Sequence, residues 1–179
     1  MPSSVRVFQA ERPIAGRTVL QIIPRLDSGG AERTTLEIVP ALVQAGARAL
    51  VATEGGRLVG ELQALGGEFH RFPAATKNPV AMAGNARKLA ALIAREGVDI
   101  VHARSRAPAW SARAAAQKRG IPFVTTYHGV YSARSAIKSR YNSVMAMGDC
   151  VIANSLFTAR HIVERYPFAA GRRPHWPSP

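Results

Sequence analysis

The sequence predicts an α/β protein with a doubly wound parallel sheet and helices on both faces. Six short apolar runs alternate with segments of helical periodicity along the 179 residues. The apolar runs are nearly continuous, which is typical of strands that are buried on both faces. Glycine or proline ends most segments, so the connections are short, as in repeated strand–helix–strand units.

The first half of the chain contains patterns for three strands and two helices. Residues 18–23 are rich in Val, Leu and Ile and end at Pro24, which predicts the first strand. A helical apolar stripe through Leu36, Val39 and Val43 ends at Gly46. The remaining predictions are a strand over 47–53, a short helix around Leu58, Leu62 and Leu65, and an edge strand over 68–72.

The second half begins with a strong helix signal at Asn78 and Pro79. Asparagine caps free N–H groups, and proline at the first helical position has no N–H to satisfy. This helix is predicted to end at Gly97, and Pro108 is predicted to open another helix that ends at Gly120. The other predicted elements are strands over 98–103, 121–126 and 150–153, a basic helix over 135–147, and a last helix from its cap Ser155 to about Tyr166.

The composition is that of a globular domain, with 47% hydrophobic residues. Cys150 is the single cysteine and is predicted to be a buried strand residue, not a disulfide partner or metal ligand. No apolar run reaches the roughly 18 residues of a membrane-spanning helix, and residues 1–17 lack the apolar segment of a signal peptide. These features predict a cytoplasmic protein.

The formal net charge of +13 calls for an anionic partner. No acidic residue lies between Asp99 and Asp149. Nucleic acid, an anionic membrane surface or a phosphorylated small substrate would each match this charge, and so would a solvated basic face without a ligand. The cations of this acid-free segment are Arg104, Arg106, Arg113, Lys118, Arg119, Arg134, Lys138 and Arg140.

The glycine pair Gly29-Gly30 stands between the first strand and the first helix. Without side chains, these residues allow a ligand to approach the main chain, and the helix start offers unpaired N–H groups with the positive end of the dipole. The pattern therefore predicts an anion site, with a simple tight turn as the alternative. In parallel sheets of this kind, ligands bind at the carboxyl ends of the strands, so the turns after strands one, four, five and six are expected to converge.

Two common nucleotide-binding signatures are missing. The dinucleotide fingerprint Gly-x-Gly-x-x-Gly does not follow the first strand, and the phosphate-binding loop with Gly-Lys-Ser or Gly-Lys-Thr is absent. Four other motifs occur in order at the ends of predicted strands. They are Gly29-Gly30-Ala31-Glu32, the run Val98-Asp-Ile-Val-His102, the run Thr125-Thr-Tyr-His128-Gly129, and Val151-Ile-Ala-Asn154-Ser155.

Together these motifs resemble the N-terminal domain of family 4 glycosyltransferases over residues 18–166. That family consists of retaining enzymes of the two-domain GT-B type, which transfer a sugar from a nucleotide-sugar to an acceptor. The resemblance implies a Rossmann-like domain and, as acceptor, a lipid, lipopolysaccharide precursor or other envelope glycan. It implies a nucleotide-sugar as donor substrate and no cofactor or metal.

The resemblance also implies roles for individual residues. Gly29 and Gly30, with Gly129, match positions that face the donor, and Glu32 matches a residue that braces the helix start. His128 matches the histidine near the transferred sugar and is the candidate catalytic residue. By itself, a histidine beside glycine is more often a turn residue, and His102 is interpreted as a structural histidine at a strand end.

Four residues are candidates for binding the acceptor. Arg104 and Arg106 are placed to bind acceptor phosphate or carboxylate through bidentate contacts. Asn154 and Ser155 are predicted to cap the last helix and, secondarily, to bind the acceptor. In the family the N-terminal domain meets the membrane through basic helices, which implies a peripheral location at its inner face. Nucleic acid is not expected, because no recognised motif is present and aromatic residues make up only 7%.

The predicted organisation has three parts. Residues 1–17 are predicted to be a mobile leader, 18–166 the glycosyltransferase-like domain, and 167–179 an irregular tail of non-native origin. The family's second, nucleotide-sugar-binding domain with its paired glutamates has no counterpart in this sequence. The expectation is a truncated chain that is inactive alone or that acts with a separate chain carrying that domain. The alternative is a stand-alone basic module for a phosphorylated metabolite, anionic lipid or nucleic acid.

Overall fold

Six parallel strands form one sheet in the computed structural model, which describes residues 14–131 and 135–170. Apolar and β-branched residues dominate each strand, and all side chains of the first one are buried. The order across the sheet is β3-β2-β1-β4-β5-β6. The strands are β1 (Thr18–Ile22), β2 (Arg48–Thr53), β3 (Glu68–Arg71), β4 (Ile100–Ala103), β5 (Phe123–Tyr127) and β6 (Cys150–Ala153).

Helices connect the strands and cover both faces, so the predicted fold class is confirmed. Their ends follow local signals: Asn78 caps α3, with Pro79 at its first position, and α3 and α4 end at left-handed glycines, Gly97 and Gly120. The helices are α1 (Gly30–Gln44), α2 (Val59–Ala64), α3 (Pro79–Glu96), α4 (Arg106–Arg119), α5 (Ala136–Ser143) and α6 (Leu156–Arg165), with 3-10 turns at Val144–Ala146 and Pro167–Ala169.

The sheet separates two hydrophobic cores. Alternate residues of β1 divide between them: Leu20 and Ile22 face the core beneath α3 and α4, whereas Val19 faces the core beneath α1 and α2. This division follows from the two-residue period of a strand. Together the two cores fix the sheet from both sides and hold the carboxyl ends of β1 and β4 next to each other.

Three sequence predictions differ from the structure. Helix α4 begins at Arg106, not at Pro108, because a proline within the first helical turn lacks only an N–H that would have no intrahelical acceptor. The basic helix ends at Ser143, and a 3-10 turn carries Val144 and Met145 into the core. Cys150 is partly exposed, not buried, because β6 is an edge strand.

The chain on either side of the predicted 18–166 domain is described only in part. Residues 14–17 contact the domain: the Gly16 N–H donates to the Gly46 carbonyl, and Arg17 forms an ion pair with Asp99 at 2.9 Å. Residues 1–13 of the predicted leader and 171–179 of the predicted tail lie outside the described residues. Within the described ranges, no helix is long and apolar enough to cross a bilayer.

The loop after β1 is held by the loop after β2. The Leu26 N–H donates to the Gly55 carbonyl, and the Leu58 N–H donates to the Leu26 carbonyl, each at 2.9 Å. Gly56 packs directly against the Leu26 backbone with a φ of 145°, so a Cβ at Gly56 would overlap the Leu26 carbonyl. This contact positions the segment that leads into Gly29 and Gly30.

Substitution of Gly56→Ala is expected to lower the free energy of unfolding by roughly 1–3 kcal/mol, through steric overlap and backbone strain. Gly60→Ala is the matched control, because nothing lies within 4 Å of its Cβ position and it is helical. Urea unfolding followed by circular dichroism measures both variants. Equal stability of the two would contradict this account of the loop.

Candidate functional site

The reversal of strand order between β1 and β4 leaves a crevice at the carboxyl edge of the sheet. We call it the switch-point crevice. Its volume is about 220 Å³. Three of the four predicted turns contribute to it, as expected for a doubly wound sheet. The lining residues are Ile23, Pro24, Ala31, Glu32, Arg104, Ser105, Arg106, His128 and Tyr131.

The two helices that begin beside this crevice have no side-chain cap. Gly29 at the start of α1 and Ser105 at the start of α4 make no capping hydrogen bond. By contrast, α3, α5 and α6 are capped by the side chains of their N-cap residues. The first-turn N–H groups of α1 and α4 therefore remain available to an anion, together with the positive ends of both helix dipoles.

The glycine pair stands at the entrance to α1, directly before the lining residues Ala31 and Glu32. A Cβ on Gly30 would meet nothing within 4 Å, so its backbone faces open space. The Glu32 carboxylate lies over Gly29, where it faces the positive end of the α1 dipole. Glu32 is the one carboxylate among the described lining residues, which also include the cations Arg104 and Arg106.

Arg104 is the most unusual residue of the crevice, because it is a cation that is only 2% exposed. Its Nη2 donates to Thr34 Oγ1 at 2.5 Å, but its buried Nε has no partner in the described ranges. None of the ion pairs among described residues includes it. Burial lowers the pKa of Arg104 to about 10, an effect that the charge of Glu37 partly opposes, so the guanidinium stays charged near pH 7.

His128 lines the crevice next to this cation. Its Nε2 is buried and finds no hydrogen-bond partner within the described part of the chain. Desolvation, and then the charge of Arg104, lower the pKa of His128 to about 4. The imidazole is therefore neutral near pH 7 and is suited to hydrogen bonding with a ligand hydroxyl.

His102 lies beneath these residues and has a structural role. It is 6% exposed, and its Nε2 lies 2.7 Å from Thr126 Oγ1. Burial, then the charges of Arg104 and His128, lower its pKa to about 3. Its neutral ring connects β4 to β5 below the crevice floor, which agrees with the interpretation of His102 as a strand-end histidine.

Arg106 is held in place by an amide and an aromatic ring. Its Nη1 donates to Asn142 Oδ1 at 2.9 Å, and its guanidinium lies 4.3 Å from the centroid of Tyr131. Tyr131 in turn packs against Tyr127, with 4.9 Å between the ring centroids. Tyr131 follows His128-Gly129 closely, but no motif of the sequence points to it.

The remaining predicted site residues lie outside the crevice lining. Ser155 caps α6 by accepting a hydrogen bond from the Thr158 N–H at 3.1 Å. Asn154 donates to the His128 carbonyl at 3.1 Å and so fixes the turn that carries His128. Gly129 lies in the same turn, and a Cβ there would meet nothing within 4 Å. The predicted capping is confirmed for Ser155, whereas the Asn154 side chain accepts from the Thr158 hydroxyl and does not cap the helix N–H groups. Acceptor binding by Asn154 and Ser155 stays a prediction.

One group of potential metal ligands occurs among the described residues, at the opposite edge of the sheet. It comprises Glu68, His70 and Glu96. Arg48 already bonds to both carboxylates, at 2.8 Å from Glu68 and 3.4 Å from Glu96, and Arg95 also pairs with Glu96. The group is therefore an ion-pair network that joins β2, β3 and the end of α3. It lies at the amino ends of the strands, whereas the switch-point crevice lies at their carboxyl ends.

Fold and crevice together define a doubly wound domain with an arginine-lined crevice at its topological switch point. The chain belongs to glycosyltransferase family 4, whose model matches residues 28–178. A glycosyltransferase from Rickettsia africae ESF-5 is 40% identical with a TM-score of 0.73, and the match covers 84% of this chain and 40% of that one. No curated protein sequence matches the chain.

More distant solved structures share the GT-B type of fold. Anabaena Alr3699/HepE, in complex with UDP and glucose, is 18% identical with a TM-score of 0.67, and the match covers 88% of this chain and 42% of that one. Sucrose-phosphate synthase from Thermosynechococcus elongatus is 16% identical with a TM-score of 0.60, with 84% and 45% covered. This chain thus spans less than half the length of each of these structures.

Replacement of Arg104 by Met is expected to keep or raise the free energy of unfolding, by up to about 2 kcal/mol, because it removes a buried charge without an ion-pair partner. Arg106→Met is the matched control and is expected to lose about 1 kcal/mol, since Arg106 has an amide and a ring as partners. Urea unfolding at pH 7 compares them. A larger loss in free energy of unfolding for Arg104→Met than for Arg106→Met would contradict the interpretation of Arg104 as a destabilising buried charge.

His102 is expected to make the protein acid-sensitive. Unfolded His102 takes up a proton near pH 6.5, whereas the native residue resists protonation down to about 3, so stability falls as pH decreases through this window. The expected slope is about 1.4 kcal/mol per pH unit for one proton. In His102→Gln, which retains a hydrogen-bonding group for Thr126, the decline in free energy of unfolding between pH 7 and 5 should be shallower. Parallel curves for the two proteins would count against this explanation.

Proposed function

We propose that the chain is the acceptor-side domain of a retaining glycosyltransferase. The reaction is transfer of a sugar from a nucleotide-sugar to a lipid, lipopolysaccharide precursor or other envelope glycan. The observation that carries this proposal is Arg104, a buried cation without an ion-pair partner in the described ranges, between two uncapped helix starts. Such an arrangement favours an anionic ligand, and membership of family 4 supports a nucleotide-sugar diphosphate as that ligand.

The donor diphosphate is assigned to the start of α1. Gly29 and Gly30 permit close backbone approach, and the N–H groups of the first helical turn supply donors without a side-chain competitor. Glu32 opposes a second negative charge, so Arg104 and Arg106 have to offset it. Charge that develops on the leaving diphosphate is stabilised by these fixed groups.

His128 is assigned to the transferred sugar. A neutral imidazole with a free Nε2 in the described structure forms a hydrogen bond with a sugar hydroxyl and orients the ring. The depressed pKa opposes a role as a protonated general acid near pH 7. His128 is therefore proposed as a catalytic residue through contact with the substrate, with Asn154 as a positioning residue that holds its backbone.

Efficient transfer is expected to need the second domain that GT-B enzymes of this family use to close the donor site. For the 179-residue chain alone, we expect diphosphate binding and little turnover. A separate polypeptide with that domain would be a functional partner. We also propose cytoplasmic location with peripheral attachment to the inner face of the membrane, a proposal that the net charge of +13 supports.

The experiment that tests the proposal is an NMR titration of the 179-residue chain with UDP, GDP, ADP and their sugar conjugates. Amide resonances of residues 29–32 are expected to shift with at least one of these ligands, and the ligand that causes the shift identifies the nucleotide. Shifts confined to other regions would overturn the donor assignment. Tight binding of a single-stranded oligonucleotide instead would favour a stand-alone basic module.

Gly30→Ala is expected to weaken binding of the diphosphate ligand by about tenfold, because a methyl group would stand between the ligand and the main chain. Its stability should be equal to or slightly above that of the parent, since the added Cβ meets no protein atom within 4 Å. Gly84→Ala, in the open face of α3, has the same clearance and serves as control. Equal affinity in the two variants would show that ligand does not approach this backbone.

A further inference from the structure

A second and larger cavity lies beside the switch-point crevice. Its volume is about 760 Å³, and it shares Pro24, Ser105, Arg106 and Tyr131 with the crevice. We call it the basic cleft. Its lining consists of Pro24, Ala75, Lys77, Ser105, Arg106, Ala107, Val130, Tyr131, Lys138 and Tyr141.

Three separate parts of the chain bring a cation to the basic cleft. Lys77 precedes α3, Arg106 lies in the first turn of α4, and Lys138 lies in the first turn of α5. No carboxylate occurs among the lining residues that the structure describes. Elsewhere in the described ranges, arginines such as Arg17, Arg33 and Arg48 pair with carboxylates, whereas no ion pair there involves Lys77 or Arg106.

Arg106 is oriented in the absence of any carboxylate partner. Asn142 and the Tyr131 ring hold its guanidinium, so less side-chain entropy is lost when an anion binds. The adjacent start of α4 adds the Arg106 and Ala107 N–H groups, which find no acceptor in the described residues, since Ser105 does not cap. The oriented guanidinium of Arg106 and the N–H groups at the start of α4 can therefore donate hydrogen bonds to the same anion.

We propose that the basic cleft binds a phosphate group of the acceptor, with Lys77, Arg106 and Lys138 as its ligands. This inference rests on the proposed function and adds the chemical class of the acceptor. Cations from three chain segments match a tetrahedral anion with several oxygens, whereas a planar carboxylate is satisfied by a single bidentate arginine. The described lining of the cleft does not include Gly29, Gly30 or Glu32, so the acceptor phosphate is placed beside the donor diphosphate and not on it.

Exposed apolar side chains occur close in sequence to two of these cations. Val130 lines the cleft, and Val80 and Ile137, in the first turns of α3 and α5, are 82% and 84% exposed. The phosphate could belong to a soluble sugar phosphate or to a lipid phosphate, and both share the chemistry of the cleft. Exposed apolar side chains of this kind suit a lipid chain next to the phosphate.

The test uses the double variant Lys77→Glu with Lys138→Glu. Both side chains are exposed, so the fold is expected to persist. The matched control is Lys118→Glu with Arg119→Glu, which changes the net charge equally at the far end of α4. Binding of soluble phosphates is measured by NMR titration with glycerol 3-phosphate and with inorganic phosphate. Binding of lipid phosphate is measured with phosphatidylcholine vesicles that contain or lack phosphatidic acid.

The expected result is a shift of the Arg106 and Ala107 amides with phosphomonoesters, and affinity at least about tenfold lower in Lys77→Glu with Lys138→Glu. The control pair should stay within about twofold of the parent. Binding of soluble phosphates that phosphatidic acid vesicles do not exceed indicates a soluble phosphate acceptor, and much tighter binding to phosphatidic acid vesicles indicates a lipid phosphate. Either response supports the cleft as a phosphate site.

Equal weakening in both double variants, or absence of any shift at residues 105–107 with every phosphate probe, would overturn the inference. Tight oligonucleotide binding that only the Lys77 and Lys138 variant loses would also overturn it, in favour of a nucleic-acid site. Nucleotide binding at residues 29–32 should survive in this variant. If phosphate binds to the cleft while no nucleotide binds at 29–32, the donor assignment fails and the phosphate site stands.

Discussion

The reversal of strand order beside β1 is the constraint on which the rest of this domain depends. The chain passes from β1 to β2 on one side of the sheet and from β4 to β5 on the other side. No described helix therefore covers the carboxyl ends of both β1 and β4. Helices α1 and α4 therefore start on either side of an open crevice. Because both strands are buried in a parallel sheet with a core on each face, the positions of these two helix starts are fixed by the whole fold.

Positive charge accumulates at this point, where Glu32 is the one carboxylate among the described lining residues. Capping side chains satisfy the starts of α3, α5 and α6, whereas α1 and α4 are left open where Arg104 is buried. A buried cation of this kind opposes stability, and a bound anion would offset that cost. The neutral rings of His102 and His128 avoid adding further charge beside Arg104. The Arg104 charge therefore lowers the stability of the free protein and favours binding of an anionic ligand.

Most elements were predictable because their signals are local. Asn78 with Pro79, and the glycines at 97 and 120, act within one helical turn, and the structure confirms all of them. Helix α4 starts earlier than expected because the extended backbone of Ser105, not Pro108, sets its beginning. The break after α5 was missed because burial of Val144 and Met145 in the core decides it, and that burial depends on distant residues.

By itself, the sequence determined the α/β class, the glycine turn before α1 and the motifs of family 4, since these depend on residue type and spacing. It also selected Arg104, Arg106 and His128, which the fold brings to one crevice. Only the tertiary structure decided that Arg104 is buried against Thr34, that Tyr131 and Asn142 orient Arg106, and that Lys77 joins Lys138 across a cleft. These contacts join residues that are far apart in the chain. The order of the strands in the sheet determines which of them meet, and no local sequence pattern encodes that order.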